Sequence, residues 1–352
     1  MSKGALVVPS EFADHFRQSP FEISGLLNWS PVMGWDIRTI NEDLSPYDTI
    51  MLNFSSTESE YGSIARQINP EVILIGCFDY GMDVVGQYFV NLERIKVVMD
   101  RLDHIFSVNK NQVEWMKNIF PDRTIHYCPH PCDMQNVMRF RRKPEDRNMG
   151  VGAMLHQYDM QQLQSLEVLK AVERKMKKPI QKTLIGLKSR WMKDRGILVP
   201  SASIPIVGND YSDQKMRGQP IDPLLPDIVE RTPPGIGWDA VLPYCGVEMW
   251  YSLLSQFKVV LDLYTVSSIG RFGMDCAGVG VPLVASERQD SSHLLYPFTR
   301  INPYIPDEAV KFVCKLLSQD TAFYERVERT ALKNLEHYSF ARSKERMLRI
   351  FE

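Results

Sequence analysis

Between Val259 and Ser286 the chain spells out a strand, a turn, a helix and a second strand. Val259 to Tyr264 is an apolar run of strand length and reads as a buried strand. The polar turn Ser267-Ser268-Ile269-Gly270 follows, and a short helix is predicted over about Phe272 to Val279. Gly280 closes that helix, Pro282 forbids its continuation, and Leu283 to Ala285 begins another strand. This is the βαβ turn of a doubly wound α/β sheet.

Such a turn is a place for an anion. The first N–H groups of a helix have no partner inside it, and the helix dipole favours negative charge there. Gly270 and Gly273 are expected to let a ligand approach the backbone, and Arg271 to add a forked contact to a phosphate. Asp275, about one turn into the helix, is placed to accept hydrogen bonds from a neutral hydroxylated group. Small residues are common at such turns in any doubly wound sheet, so the rest of the chain must decide.

The rest repeats the alternation. In the first half, strands are predicted at Ala5–Val8, Trp35–Ile40, Thr49–Phe54, Val72–Cys77, His104–Val108 and Ile125–Cys128. Helices are predicted at Phe21–Asn28, Glu60–Gln67 and about Asn111–Ile119. In the second half come strands at Asn148–Leu155 and Lys182–Leu187, and helices at Met160–Lys175, Val247–Gln256, Pro306–Leu317 and Thr321–Tyr338. Strands alternating with helices imply parallel sheets covered on both faces. The charged stretch Arg139 to Arg147 reads as a linker between two domains, for which 352 residues suffice. The expected division is 1–138, the linker 139–147, 148–334, and a last helix within 335–352.

Composition excludes several classes. A net charge of −2 gives no whole-protein field toward nucleic acid or membrane. No stretch approaches the roughly 20 apolar residues that span a bilayer, and no leader is apparent, so a cytoplasmic protein is expected. Six scattered cysteines include one close pair, Cys128 and Cys132, too little for a zinc site; buried reduced thiols are expected.

The 267–286 stretch resembles the donor-site motif of GT-B glycosyltransferases of the GT4-like kind, roughly E-G-F-G-x-x-x-x-E-A-M-A-x-G-x-P-V-I-A-S. Without a gap, Gly270 takes the second glycine and Asp275 the second glutamate, while Gly280, Pro282, Ala285 and Ser286 match the end. Ser267 stands where the first glutamate belongs. Leu102 to Val108 is similar to the family's strand "A-D-x-I-I-x-x-S". Ile125 to Asp133 is similar to its interdomain segment "I-x-V-I-P-N-G-V-D", with His130-Pro131 in place of Asn-Gly. Ser339 to Arg342, then Met347 to Phe351, resemble the closing segment and last helix, which in that fold cross back onto the first domain.

The resemblance implies a GT-B fold: two Rossmann-like domains facing across a cleft. It implies transfer of a sugar from a nucleotide-sugar, such as a UDP- or GDP-sugar, to an acceptor hydroxyl. No further cofactor and no metal is expected, and retention of configuration is suggested. Ser267, Ser268, Ile269, Gly270, Arg271, Phe272, Gly273 and Asp275 would bind the donor. The family's diphosphate-gripping arginine and lysine are replaced by His156-Gln157-Tyr158-Asp159, which leaves Lys188 and Arg190, with Arg271, to take their place. His130 is a candidate contact to donor or acceptor, or a loop imidazole capping the backbone. Asp79, at a strand's C-terminal end, is a candidate general base or a turn carboxylate beside Gly81. Gly235 to Trp238 would flank the base, or form a plain turn. The acceptor would be a glycan, a lipid-linked or a small molecule. A nucleic acid is admitted by ten basic residues against two acids from Lys170 to Arg195, a run that otherwise reads as a solvated helix face. Two other readings stay open: a degenerate binding subunit of the same fold, and a nucleotide-sugar epimerase on a similar scaffold.

Overall fold

A computed structural model describes residues 3–8, 25–53, 69–78, 96–97, 99–154, 159–187, 237–243, 247–318 and 320–351. Two six-stranded sheets, parallel throughout, organise them. The first contains β1 (Gly4–Val7), β2 (Asp36–Arg38), β3 (Thr49–Asn53), β4 (Ile73–Phe78), β5 (His104–Ser107) and β6 (Ile125–Tyr127), in the order 2-1-3-4-5-6. The second contains β7 (Met149–Met154), β8 (Lys182–Leu187), β9 (Ala240–Pro243), β10 (Phe257–Asp262), β11 (Leu283–Ser286) and β12 (Arg300–Ile301), in the order 12-11-10-7-8-9. The strand order reverses direction beside β1 in one sheet and between β7 and β10 in the other. Open α/β sheets bind ligands outside the carboxyl ends of strands at such points.

Period-two packing explains why both faces of the first sheet are buried. Ala5, Val7, Ile50, Leu52, Leu74 and Ile105 point into one apolar cluster. Their neighbours Leu6, Met51, Ile75 and Phe106 point into another, which also holds Val151, Val259 and Met274 of the second domain. The two domains thus share one core at their junction.

The α-helices among the described residues are α1 (Trp29–Met33), α2 (Lys110–Ile119), α3 (Met134–Val137), α4 (Asp159–Met176), α5 (Val247–Leu254), α6 (Arg271–Val279), α7 (Asp290–Leu295), α8 (Pro306–Leu317), α9 (Thr321–Leu335) and α10 (Phe340–Phe351). The last helix, α10, returns to the first domain and packs on α1. The Phe351 ring meets His104 edge-on, with centroids 5.8 Å apart. The interdomain segment is stitched down on the way: Pro131 O accepts from Asn28 Nδ2 at 2.9 Å, and Cys132 N donates to Tyr338 O at 2.7 Å.

The stretch expected as a charged linker is partly interior. Arg147 is buried, with Nη2 donating to the carbonyls of Arg142 and Gly280, each at 2.8 Å, and lying 3.5 Å from Glu328. Arg141 reaches the same carboxylate at 2.9 Å. A buried cation is tolerable only with such partners. They fix the linker to the C-terminal end of α6. Gly280 is required there, because its φ is 80° and a Cβ would lie 2.7 Å from Glu328.

Elements differ from expectation where tertiary contacts set them. The helix expected from Phe21 to Asn28 is, over its described part, a 3₁₀ turn at Leu26–Asn28 that leads into α1. Strand β10 stops at Asp262, two residues early, because the Asp262 carboxylate accepts from Tyr264 N and turns the chain. Strand β9 and helix α7 were not expected. The first is a short edge strand ending in a proline, a position that needs no ladder donor. Asp79, Lys188, Arg190, the Glu60–Gln67 helix and most of 195–237 lie outside the described residues. Five of the six cysteines are described. All five are free, and Cys77, Cys128, Cys132 and Cys276 are buried.

Candidate functional site

The chain leaves the carboxyl end of β10 at the switch point and runs through 263–270 into α6. That turn is held by the loop after β11. Ser268 N donates to Arg288 O at 3.2 Å, Asp290 N to Ser268 O at 2.8 Å, and Ser291 N to Ile269 O at 2.9 Å. Gln289 adds a side-chain bond to the Asp262 carboxylate. The turn is therefore set before any ligand arrives.

The glycines have a reason of their own. Gly270 sits at φ 76° and ψ 53°, in the left-handed region, and its carbonyl accepts from Ser291 Oγ at 2.8 Å. A Cβ would lie 2.6 Å from that hydroxyl at Gly270 and 3.0 Å from it at Gly273. So the room these glycines leave is filled by Ser291 and Gln289 of the same chain. The amide of Gly273 is also committed, to Gly270 O at 3.0 Å.

Asp275 is the site's unbalanced group. It is 5% exposed, and its Oδ2 accepts from Trp250 Nε1 at 3.2 Å. Its Oδ1 is buried with no hydrogen-bond partner among the described residues. Burial pushes the carboxyl well above the usual range, against the opposing pull of the Trp250 N–H and of Arg271. Phe272 packs on Trp250, with ring centroids 5.8 Å apart. Ser267, Ser268 and Arg271 are half-buried, while Ile269 and Phe272 are buried.

The first domain meets this turn directly. Asn109 caps α2, accepting from Gln112 N at 3.1 Å, and its Nδ2 lies 3.5 Å from Ser268 O. Lys110 N donates to Asp290 Oδ1 at 3.2 Å, and Tyr127 Oη to Asp290 Oδ2 at 2.6 Å. Asp290 is pushed up by burial, which these two bonds oppose. The interdomain segment arrives beside Asp275: the Cys132 thiol is raised by burial first and by the Asp275 charge second. His130 is fully buried, between two fully buried cysteines.

The structure thus brings Ser267 to Asp275 into one turn and sets the segment of His130 against it. Trp250, Gln289, Asp290, Ser291 and Tyr127 were missed from the sequence. Asp290-Ser291-Ser292 carries a helix-start signature that marks the element. Nothing local marks Trp250 or Tyr127, whose partners are 25 and 163 residues away. In the basic run, Lys170 pairs with Glu167, and Lys182 with Glu173 and Asp239. Arg174 and Lys175 occupy the last turn of α4, where cations suit the helix dipole.

No protein-family profile and no curated protein matches the sequence. Solved structures do resemble the fold. HepE of Anabaena, in complex with UDP and glucose, superposes with a TM-score of 0.61 over 100% of this chain and 99% of its own, at 11% identity. The E. coli trehalose-6-phosphate structure bound with UDP-2-fluoro glucose gives 0.60 over 96% and 77%, at 11% identity. S. aureus TarM, in complex with fondaparinux, alpha-GlcNAc-glycerol and UDP, gives 0.58 over 88% and 56%, at 14% identity. At such identity the likeness is one of fold, and the chain has the GT-B architecture.

Proposed function

We propose that the protein is a metal-independent glycosyltransferase of the GT4-like kind, moving a sugar from a nucleotide-sugar to an acceptor hydroxyl. The observation that carries this reading is Asp275: a buried carboxyl oxygen without a partner among the described residues, in the first turns of a helix at the sheet's switch point. A buried polar oxygen left without a partner costs about 1–3 kcal/mol, and a hydrogen bond between a ribose hydroxyl and Oδ1 would recover it. Trp250 holds the other oxygen, so Asp275 is oriented in advance. The amide end of α6 and Arg271 would face the diphosphate and stabilise the charge that builds on it as the sugar leaves. The neighbours solved with UDP support a nucleotide ligand of this class.

The acceptor would sit across the cleft on the first domain, and a glycan, lipid-linked or small-molecule acceptor fits better than a nucleic acid. Two lysines of the basic run are neutralised by carboxylates, which favours the solvated-face reading of that run. Ser267 offers the sugar no carboxylate, so sugar selection falls to other groups of the cleft. Mass spectrometry of a panel of UDP- and GDP-sugars with such acceptors tests the reading. A glycosylated product from one donor, persisting in chelator, is expected. Donor binding without turnover on any acceptor would make the chain a binding subunit instead.

A further inference from the structure

A cavity of about 590 Å³ lies between β6, α2 and the returning helix α10, and reaches Tyr127, which bonds Asp290 beside the donor turn. None of its lining residues belongs to 267–275. Its walls carry Lys117, Arg342, Arg346 and Arg349 against one acid, Glu345. Glu345 is shared by Arg342, at 3.0 Å, and Arg349. Lys117 and Arg346 have no carboxylate partner among the described residues. The lining therefore carries more positive than negative charge.

The polar atoms tell the same story. Arg346 Nη2 donates to His337 O at 3.0 Å. Its Nη1 is buried without a hydrogen-bond partner among the described residues, and so is Nε2 of His126. Both His126 and His337 line the cavity, and both are held below the usual imidazole range, by burial first and by nearby positive groups second. Orphaned buried polar atoms are rare in folded proteins and mark a place for a further partner. A guanidinium can only donate, so what Arg346 lacks is an acceptor, and the surrounding cations favour an anionic one. The volume is in the range of small-molecule sites and exceeds a bare phosphate, and Ile125 and Ile350 give it an apolar wall.

We propose that this cavity binds a small organic phosphate, its phosphate on Arg346 and Lys117 and its carbon skeleton against Ile125 and Ile350. The proposal does not rest on the nucleotide reading.

Isothermal calorimetry of the full chain with ribose 5-phosphate, inorganic phosphate and ribose is the test. Saturable binding of ribose 5-phosphate is expected, with no heat from ribose and weaker binding of inorganic phosphate. Arg346→Gln should weaken binding about tenfold and Lys117→Glu at least as much, since each removes a charge-assisted contact. Lys315→Gln, on the distant helix α8, should change nothing. Lys117 stands on the exposed side of α2, so its variant stays informative if Arg346→Gln fails to fold. Absence of binding, or affinity unchanged in Lys117→Glu, would overturn the proposal. Equal affinity for inorganic phosphate would overturn its organic part.

Discussion

Two acidic residues of the second domain, Asp290 and Asp275, face the junction between domains and are used in opposite ways. Asp290 has both oxygens engaged, one by the Lys110 amide and one by the Tyr127 hydroxyl, and both partners come from the first domain. Asp275 has one oxygen engaged by Trp250 of its own domain and one by nothing described. Burial raises both carboxyls. A carboxylate that already has its donors fastens the structure; one that lacks a donor is a place for something else to bind.

The largest effect expected from breaking this comparison is on stability. Asp290→Ala deprives Tyr127 and the α2 terminus of their acceptor, and should cost about 2–3 kcal/mol in urea unfolding. Nucleotide affinity should stay within about threefold of the wild type, as Asp290 touches the ligand only through the turn it holds. A variant with wild-type stability would show that the bridge between domains is incidental.

Asp275→Ala should behave the other way round. Loss of UDP or GDP affinity by about 1–3 kcal/mol is expected in calorimetry if the carboxyl holds ribose hydroxyls. Its unfolding free energy should fall less than that of Asp290→Ala, because the variant removes an orphaned oxygen along with one bond.

The pH dependence sharpens the contrast further. Asp275 has a folded pKa raised above its unfolded value near 3.8. Its stabilising contribution is therefore whole below pH 4 and is lost as pH rises toward the folded value. Asp275→Asn should match the wild type in stability at pH 4 and exceed it at pH 7, read by thermal unfolding at both. A gain at pH 4 as large as at pH 7 would mean that the carboxyl is not buried in its neutral form. The smallest effect belongs to Tyr127→Phe, about 1 kcal/mol in unfolding free energy, since only the hydroxyl donor is lost.

How much of this was legible beforehand follows from the range of each signal. The unit around 259–286 was readable because its parts are local: an apolar run, a glycine that ends a helix, a proline that prevents resumption. Asp275 was singled out for its place in that unit. The use made of Gly270 was not readable, because the group that fills its space, Ser291, comes from a helix of six residues with two serines and no apolar periodicity. The buried Arg147 was hidden in a charged stretch, for its acceptors are carbonyls and a carboxylate 181 residues away. The bridge from Tyr127 to Asp290 joins two domains and leaves no mark in either half of the sequence. Patterns of burial are written along the chain; pairings between domains are not.

The central claim is that a nucleotide seats on the 267–275 turn with its ribose at Asp275. A crystal structure of the protein grown with UDP or GDP tests this most directly. The account predicts nucleotide density at the amide end of α6, with a ribose hydroxyl within about 3 Å of Asp275 Oδ1, the range of a hydrogen bond. A nucleotide bound elsewhere, with Oδ1 of Asp275 still lacking a partner, would contradict it.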